Sequence, residues 1–278
     1  MKRVLKIEDA AVRLQTAEGI ETVLEHVNVD IEEGSFTVLV GANGSGKSTL
    51  LQVIAGLCPL SKGNVSFGGA ELRTGVDVYM ALQNPDAQII GGTPYEDVCF
   101  SLELRGLAGD LLEEKANAAL ELVGLQRERN RPIDELSGGQ KQLVSMASAL
   151  AVDARIIVFD EPTAMLDSSA RADVLHAALR LRDAGRTVIW ATHALDEAGY
   201  ADRVIALERG RVRFDGAAEA FFYGAHVGKP EAAPCCMLGF QPPYLVEMVH
   251  HLLRGGAELP LRPVVIEQWE KAVAGLCR

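Results

Sequence analysis

Gly41-Ala42-Asn43-Gly44-Ser45-Gly46-Lys47-Ser48 follows directly on Phe36–Val40 (FTVLV), and this junction decides the fold. FTVLV is a continuous apolar run ending in glycine, the pattern of a buried strand feeding a loop. From Thr49 to Ile54 helical spacing resumes. The octapeptide fits G-x-x-x-x-G-K-[ST], and each part has a chemical reason. Glycines let successive backbone N–H groups converge on phosphate oxygens without interference from Cβ atoms. The following helix aims its positive end at the same anion. Lys47 supplies a point charge to β- and γ-phosphates, and Ser48 offers a hydroxyl to Mg²⁺. An ordinary glycine-rich turn has no need to stand between a buried strand and a helix. The loop therefore reads as a phosphate cradle, which by itself names no reaction.

Outward from the loop, further apolar runs at 77–82, 155–159, 187–191 and 204–207 read as buried strands with helical patterns between them. Strands alternating with helices predict a mostly parallel sheet covered on both faces. The run Arg155–Glu161 (RIIVFDE) delivers Asp160 at a strand's C-terminal end, where ligands of such sheets bind. Asp160 is placed to hold Mg²⁺, and Glu161, pointed differently by strand alternation, is the candidate to polarise an attacking water.

Residues 94–151 break the alternation and carry only helical patterns, which predicts an all-helical insertion between two strands. Within it, Asp110, Glu113 and Gly124 read as a cap, its partner and a stop. Leu136-Ser137-Gly138-Gly139-Gln140 precedes another helix. Ser137 and Gln140 suit a capping box. The two glycines in the first turn do not, because each costs roughly 1 kcal/mol against alanine. They make sense if something approaches the helix start closely, and an anionic phosphate suits the dipole there.

Composition bounds the rest. The 278 residues are 48% hydrophobic and 23% charged, with 38 acidic against 27 basic side chains and a net charge of −11. That balance excludes broad nucleic-acid binding and electrostatic adhesion to anionic lipid. No apolar run approaches the roughly 18 residues of a membrane span, and MKRVLKIEDA lacks the apolar core of a signal peptide. The expected location is the cytoplasm. Cys58, Cys99, Cys235, Cys236 and Cys277 form no metal or redox spacing and read as free thiols. The stretch from about His226 to Leu238 has two prolines and no periodicity, as a linker does, and two short helical patterns follow it, at 244–253 and 265–276.

LSGGQ, with the phosphate loop upstream and the Asp-Glu strand downstream, resembles the ATP-binding cassette (ABC) family. Gln83 is similar to that family's Q-loop glutamine, Ala164-Met165-Leu166-Asp167 to its D-loop, and His193 to its switch histidine. The resemblance covers roughly residues 1–225. It implies an α/β P-loop ATPase with a mostly parallel core sheet and N-terminal antiparallel β strands. The helical subdomain is inserted at about 84–152, and a short helical C-terminal extension occupies 226–278. ATP would be bound by Gly41 to Ser48 together with Thr49. Ser48, Gln83 and Asp160 would serve Mg²⁺, and Glu161, His193 and Gln83 would serve catalysis. Ser137, Gly138, Gly139, Gln140 and Asp167 would reach the nucleotide of a second subunit in a head-to-tail dimer, homo- or heteromeric. Soluble ABC proteins of translation or DNA repair carry two cassettes or long coiled-coil inserts, and this sequence has neither.

Gln83-Asn84-Pro85-Asp86-Ala87-Gln88-Ile89-Ile90 is similar to the Q-loop of energy-coupling factor transporter ATPases, and Tyr95–Val98 and the tail fit that subgroup. The implied partners are a transmembrane scaffold protein and a substrate-binding membrane protein, which would hold the chain on the inner face of the cell membrane; another ABC importer or an exporter is the alternative. Asp86, Glu96 and Asp97 are then expected to pair with scaffold arginines. Two positions depart from the family. The adenine-stacking aromatic is absent, with Leu14 at its place and no Tyr or Trp before Tyr79, which predicts weak discrimination of ATP from GTP. After the signature the family often has Gln-Arg, and here Gln142 is followed by Leu143.

Overall fold

The structure is a computed structural model that describes residues 3–16, 19–68, 77–225, 229–257 and 259–276. Cys277 and residues 226–228, the start of the expected linker, lie outside these. Two long strands, β1 (Arg3–Thr16) and β2 (Gly19–Glu32), precede β3 (Phe36–Val40) and helix α1 (Lys47–Ile54). β1 pairs antiparallel with β2 and with β4 (Lys62–Phe67), giving a three-stranded sheet.

The larger sheet has β3 near its middle. β3 is parallel to β7 (Thr187–Thr192) on one side and to β8 (Arg203–Glu208) on the other. Beyond β7 lie β6 (Ile156–Asp160) and β5 (Val78–Ala81), also parallel, and β9 (Arg211–Gly216) closes the far edge antiparallel to β8. The anticipated strands thus form within a residue or two of their apolar runs, while β9 was not foreseen. All five residues of β3 are buried, because alternate side chains enter different cores. Phe36, Val38 and Val40 pack with the inserted helices and the C-terminal elements. Leu39 packs with Leu24, Leu50 and Ile54 beneath the antiparallel sheet and α1.

Between β5 and β6 the chain makes α2 (Pro94–Glu103), α3 (Asp110–Val123) and α4 (Gly138–Ala151), with no strand among them. Asp110 is not the cap of α3. Gly109 is, at φ 67°, and Asp110 is the first helical residue. Only glycine enters a helix readily from that backbone angle, and Asp110 still favours the positive helix end. The stop is as expected: Gly124 at φ 87° sends its N–H to Leu120 and Glu121 carbonyls. Helix α5 (Ser168–Asp183) follows β6, and the short α6 (Leu195–Ala198) follows β7.

Helix α7 (Ala218–Tyr223) buries Phe221, Phe222 and Tyr223 completely. Residues 229–238 form one turn and the short α8 (Pro234–Met237), with Ala233 and Cys235 fully buried. Helices α9 (Tyr244–Arg254) and α10 (Ile266–Leu276) complete the extension. Tyr223 donates its hydroxyl to the Pro263 carbonyl (2.6 Å), and His250 Nε2 bonds the Phe222 carbonyl (3.2 Å). Burial pushes the His250 pKa down, against the hydrogen bond to Phe222. Among the described residues no helix is long and apolar enough to cross a membrane.

Candidate functional site

The phosphate loop joins β3 to α1 and is held by tight contacts on one flank. A Cβ on Gly41 would fall 2.4 Å from Ser45 Oγ, and one on Gly46 (φ 102°) would fall 2.7 Å from Leu24 Cδ2. Gly44 (φ 76°) has nothing within 4 Å, so the loop's other flank is open. Gly46 caps α1 without any side-chain acceptor, leaving the first N–H groups of the helix facing the loop. Ser45 Oγ is buried without a partner. A cavity of about 360 Å³ opens here, lined by residues 43–49 with Val23, Gln83, Asp160 and Glu161.

Lys47 is buried and satisfied internally. Its Nζ donates to the Gly41 carbonyl (2.8 Å) and lies 3.5 Å from Glu161 Oε1. Glu161 Oε2 is 3.1 Å from His193 Nδ1. One carboxylate therefore bridges the loop lysine and the histidine. Glu161 holds φ at 49°, a left-handed angle unusual for a glutamate, and its N–H is tied to the Ala191 carbonyl at 3.0 Å. The adjacent Asp160 ends β6. Burial raises its pKa above the ordinary carboxylate value, opposed by a hydrogen bond from Ser48 and reinforced by Glu161's charge. Ser48 and Asp160 bring hard oxygen donors together beside Gln83, a set suited to Mg²⁺.

His193 also lines a second cavity, about 530 Å³, behind residues 41–45 and against Leu238, Gly239 and Phe240. The structure thus brings together residues 41–49, Gln83, Asp160, Glu161 and His193. Leu14 is not on the wall of the phosphate cavity; it is exposed on β1, paired in register with Glu21. Val23 lines that wall and was missed. A signal existed: Val23-Leu24 are adjacent apolar residues in an alternating strand, so one must face away from the core.

LSGGQ stands apart from both cavities. Ser137 caps α4, with its Oγ accepting the Gln140 N–H (3.2 Å) and Gln140 Oε1 accepting the Ser137 N–H (3.0 Å). The two glycines differ. A Cβ on Gly139 would lie 2.8 Å from Ala170 Cβ, so close packing against α5 requires that glycine, not a ligand. Gly138 is exposed, its nearest such neighbour being Leu166 at 3.4 Å, and leaves the helix start accessible. Asp167 caps α5 by accepting the Ala170 N–H (2.9 Å).

The loop carrying Gln83 is strapped to α4. Asp86 pairs with Lys141 (2.6 Å), and the Gln83 carbonyl accepts from Gln142 (3.4 Å). Gln88, a residue the sequence pattern left without a role, donates to Tyr79 Oη (2.9 Å) and the Met80 carbonyl (3.1 Å) while accepting the Leu82 N–H (3.0 Å). The expectation for Asp97 is overturned. It is buried, accepting the Ile90 and Gly91 N–H groups and the Ser148 hydroxyl, so it is a brace and not a docking charge. Glu96 and Asp86 remain exposed, although each already holds an internal partner.

Comparison with known proteins agrees with this geometry. The ABC transporter family profile matches residues 24–164. The energy-coupling factor transporter ATP-binding protein EcfA1 of Symbiobacterium thermophilum is 37% identical over 94% of this chain and 91% of that protein. EcfA1 of Streptococcus sanguinis is 34% identical over 94% of this chain and 93% of that protein. Among solved structures, cbiO1 of Clostridium perfringens, part of the ABC transporter complex cbiONQ, superposes with a TM-score of 0.75 at 26% identity, covering 91% of this chain and all (100%) of that one. The dimeric cassette MJ0796, in a post-hydrolysis state with ADP and Pi, gives 0.68 at 29% identity over 77% of this chain and 98% of that one. The chain belongs to the ATP-binding subunits of ABC transporters, and among them to the energy-coupling factor transporter ATPases, whose ATP hydrolysis powers transport.

Proposed function

We propose that this chain hydrolyses Mg·ATP between its own phosphate loop and the LSGGQ helix of a second cassette, and so drives an importer of vitamins or transition-metal ions through a membrane scaffold protein. The observation that carries the catalytic part is the Glu161 carboxylate, held between Lys47 and His193 at the edge of the phosphate cavity. ATP's phosphates displace Glu161 as the partner of Lys47, since a triphosphate is the stronger anion. The uncapped start of α1 and the open flank at Gly44 receive the same phosphates. Glu161 is then free to orient the attacking water and take its proton, with His193 fixing the other side. Ser48, Asp160 and Gln83 would hold Mg²⁺, which when bound neutralises charge on the β- and γ-phosphate oxygens.

Ser137 lies outside the cavity of its own chain, in keeping with a role on the nucleotide of a second subunit, along with Gly138, Gln140 and Asp167. Gly139 serves that role only indirectly, by letting α4 sit against α5. The two ATPases dock on the scaffold near the strapped loop 83–90, where Asp86 and Glu96 are the acidic groups within reach. Residues 1–225 act as the nucleotide-binding domain and 226–278 as its extension. The test is purification from membranes in mild detergent. A multi-helix scaffold protein should co-purify, and Asp86→Lys with Glu96→Lys should reduce its recovery; recovery of this chain alone from wild-type membranes would contradict the assignment.

A further inference from the structure

The two groups that face each other at the cavity edge sit on separate loops. Glu161 opens the turn after β6, and His193 follows β7. Behind both lies a carboxylate that hydrolysis does not use directly. Glu197, on α6, is buried to 1% exposure. Its Oε1 accepts the Thr163 hydroxyl at 2.5 Å and its Oε2 accepts the Trp190 indole N–H at 2.8 Å. Thr163 is two residues past Glu161 and itself buried, and Trp190 is three residues before His193. Trp190 is fixed in turn between Phe36 of β3 (5.9 Å) and Phe159 of β6 (5.3 Å).

Neither donor to Glu197 is a cation, so charge attraction does not offset the cost of burying this carboxylate; the two hydrogen bonds must. An apolar side chain of similar size would fill the space without desolvating a charge. It would lack the one thing Glu197 supplies, a rigid bridge from the Glu161 turn to the strand and helix on either side of His193. We propose that Glu197 is the positioning residue of the ATPase site, setting the separation of Glu161 and His193 through Thr163 and Trp190. This rests on the reading in which Glu161 and His193 act on the attacking water.

The test uses the full chain and steady-state ATP hydrolysis. Thr163→Val, which removes only the hydroxyl, and Glu197→Ala should each lower kcat about tenfold or more while KM for ATP moves less than about twofold. Glu197→Gln should recover most of the loss, because its amide oxygen accepts from Trp190 and its NH2 donates to the Thr163 hydroxyl, which turns to accept. His193→Ala should cost far less in the Thr163→Val background than in the native one, since the histidine is already misplaced. A packing role alone would lower Tm and leave the two losses additive. Native kcat in Thr163→Val, with His193→Ala inactive, would overturn the proposal and leave the site reading standing. Undiminished turnover in both His193→Ala and Glu161→Gln would sink the site reading and this proposal with it. If Glu197→Ala does not fold, Thr163→Val and Glu197→Gln decide the matter.

Discussion

Glu161 is the proposed catalytic base, and its left-handed backbone angle of 49° shows the local cost of aiming it at the cavity. Glu161→Gln keeps the shape and removes the proposed base. Nucleotide binding should persist while turnover falls by about 10²-fold or more, checked by equilibrium binding beside single-turnover hydrolysis. Lys47→Ala should instead weaken binding itself, because the loop loses the ammonium on the cavity wall. The glycines of LSGGQ should separate in the same way. Gly138→Ala should fold normally and lose hydrolysis, while Gly139→Ala should lose stability, as its Cβ meets Ala170 at 2.8 Å. The motif residues were legible because phosphate binding demands particular backbone geometry at fixed spacing. Gly139's partner, Val23 and Glu197 were not, since each takes its meaning from a residue distant in sequence. With Val23 and, among the described residues, no aromatic side chain on the cavity wall, the site should discriminate ATP from GTP only weakly, and a competition assay with strong ATP preference would contradict that.

At the scale of elements, the signature helix is only as well placed as its packing on α5, so Gly139→Ala should cost about 1–3 kcal/mol by overpacking, read from urea denaturation, with Ala170→Gly restoring part of it. A second brace joins the inserted helices to the sheet. Asp153 pairs with Lys115 of α3 and with Arg186 ahead of β7, each at 2.6 Å. The Lys115 hydrogen bond is the main cause that holds its pKa below the ordinary value, against burial and with help from Arg186. A lowered carboxylate pKa stabilises above the unfolded value near about 4 and loses that contribution as pH falls through the folded value. Asp153→Asn, which tolerates the φ of 56° there, should therefore destabilise at pH 7 by no more than about 1 kcal/mol, given solvent screening. The difference should shrink as pH falls below about 4. Apolar runs revealed the parallel strands because burial on both faces leaves no polar alternation to confuse them. β9, with its alternating RVRFDG, is a half-exposed edge strand and carries a weaker pattern. The cap at Gly109 was hidden because Asp110 offers the stronger capping side chain, and only the backbone angle decides against it.

For the whole molecule, the proposed sharing of a site between two chains rests on where the fold puts the two motifs. The phosphate cavity gathers residues 43–49, Gln83, Asp160 and Glu161, and Ser137 with the exposed Gly138 is not on its wall. A head-to-tail pair would bring the two halves together, and the Gln83 loop strapped to α4 would link each chain's cavity to the helix start it lends its neighbour. The order of motifs along the chain made the α/β cassette fold readable, whereas the packing of the extension through Phe222, Tyr223 and His250 came only from the structure. The most direct trial is complementation. Lys47→Ala and Ser137→Ala variants are each assayed for ATP hydrolysis alone and then mixed. Sharing across the dimer leaves one intact site in every mixed pair, so the mixture should regain up to about a quarter of native activity. A mixture as inactive as its components, or a Ser137→Ala protein that hydrolyses ATP at the native rate, would contradict the account.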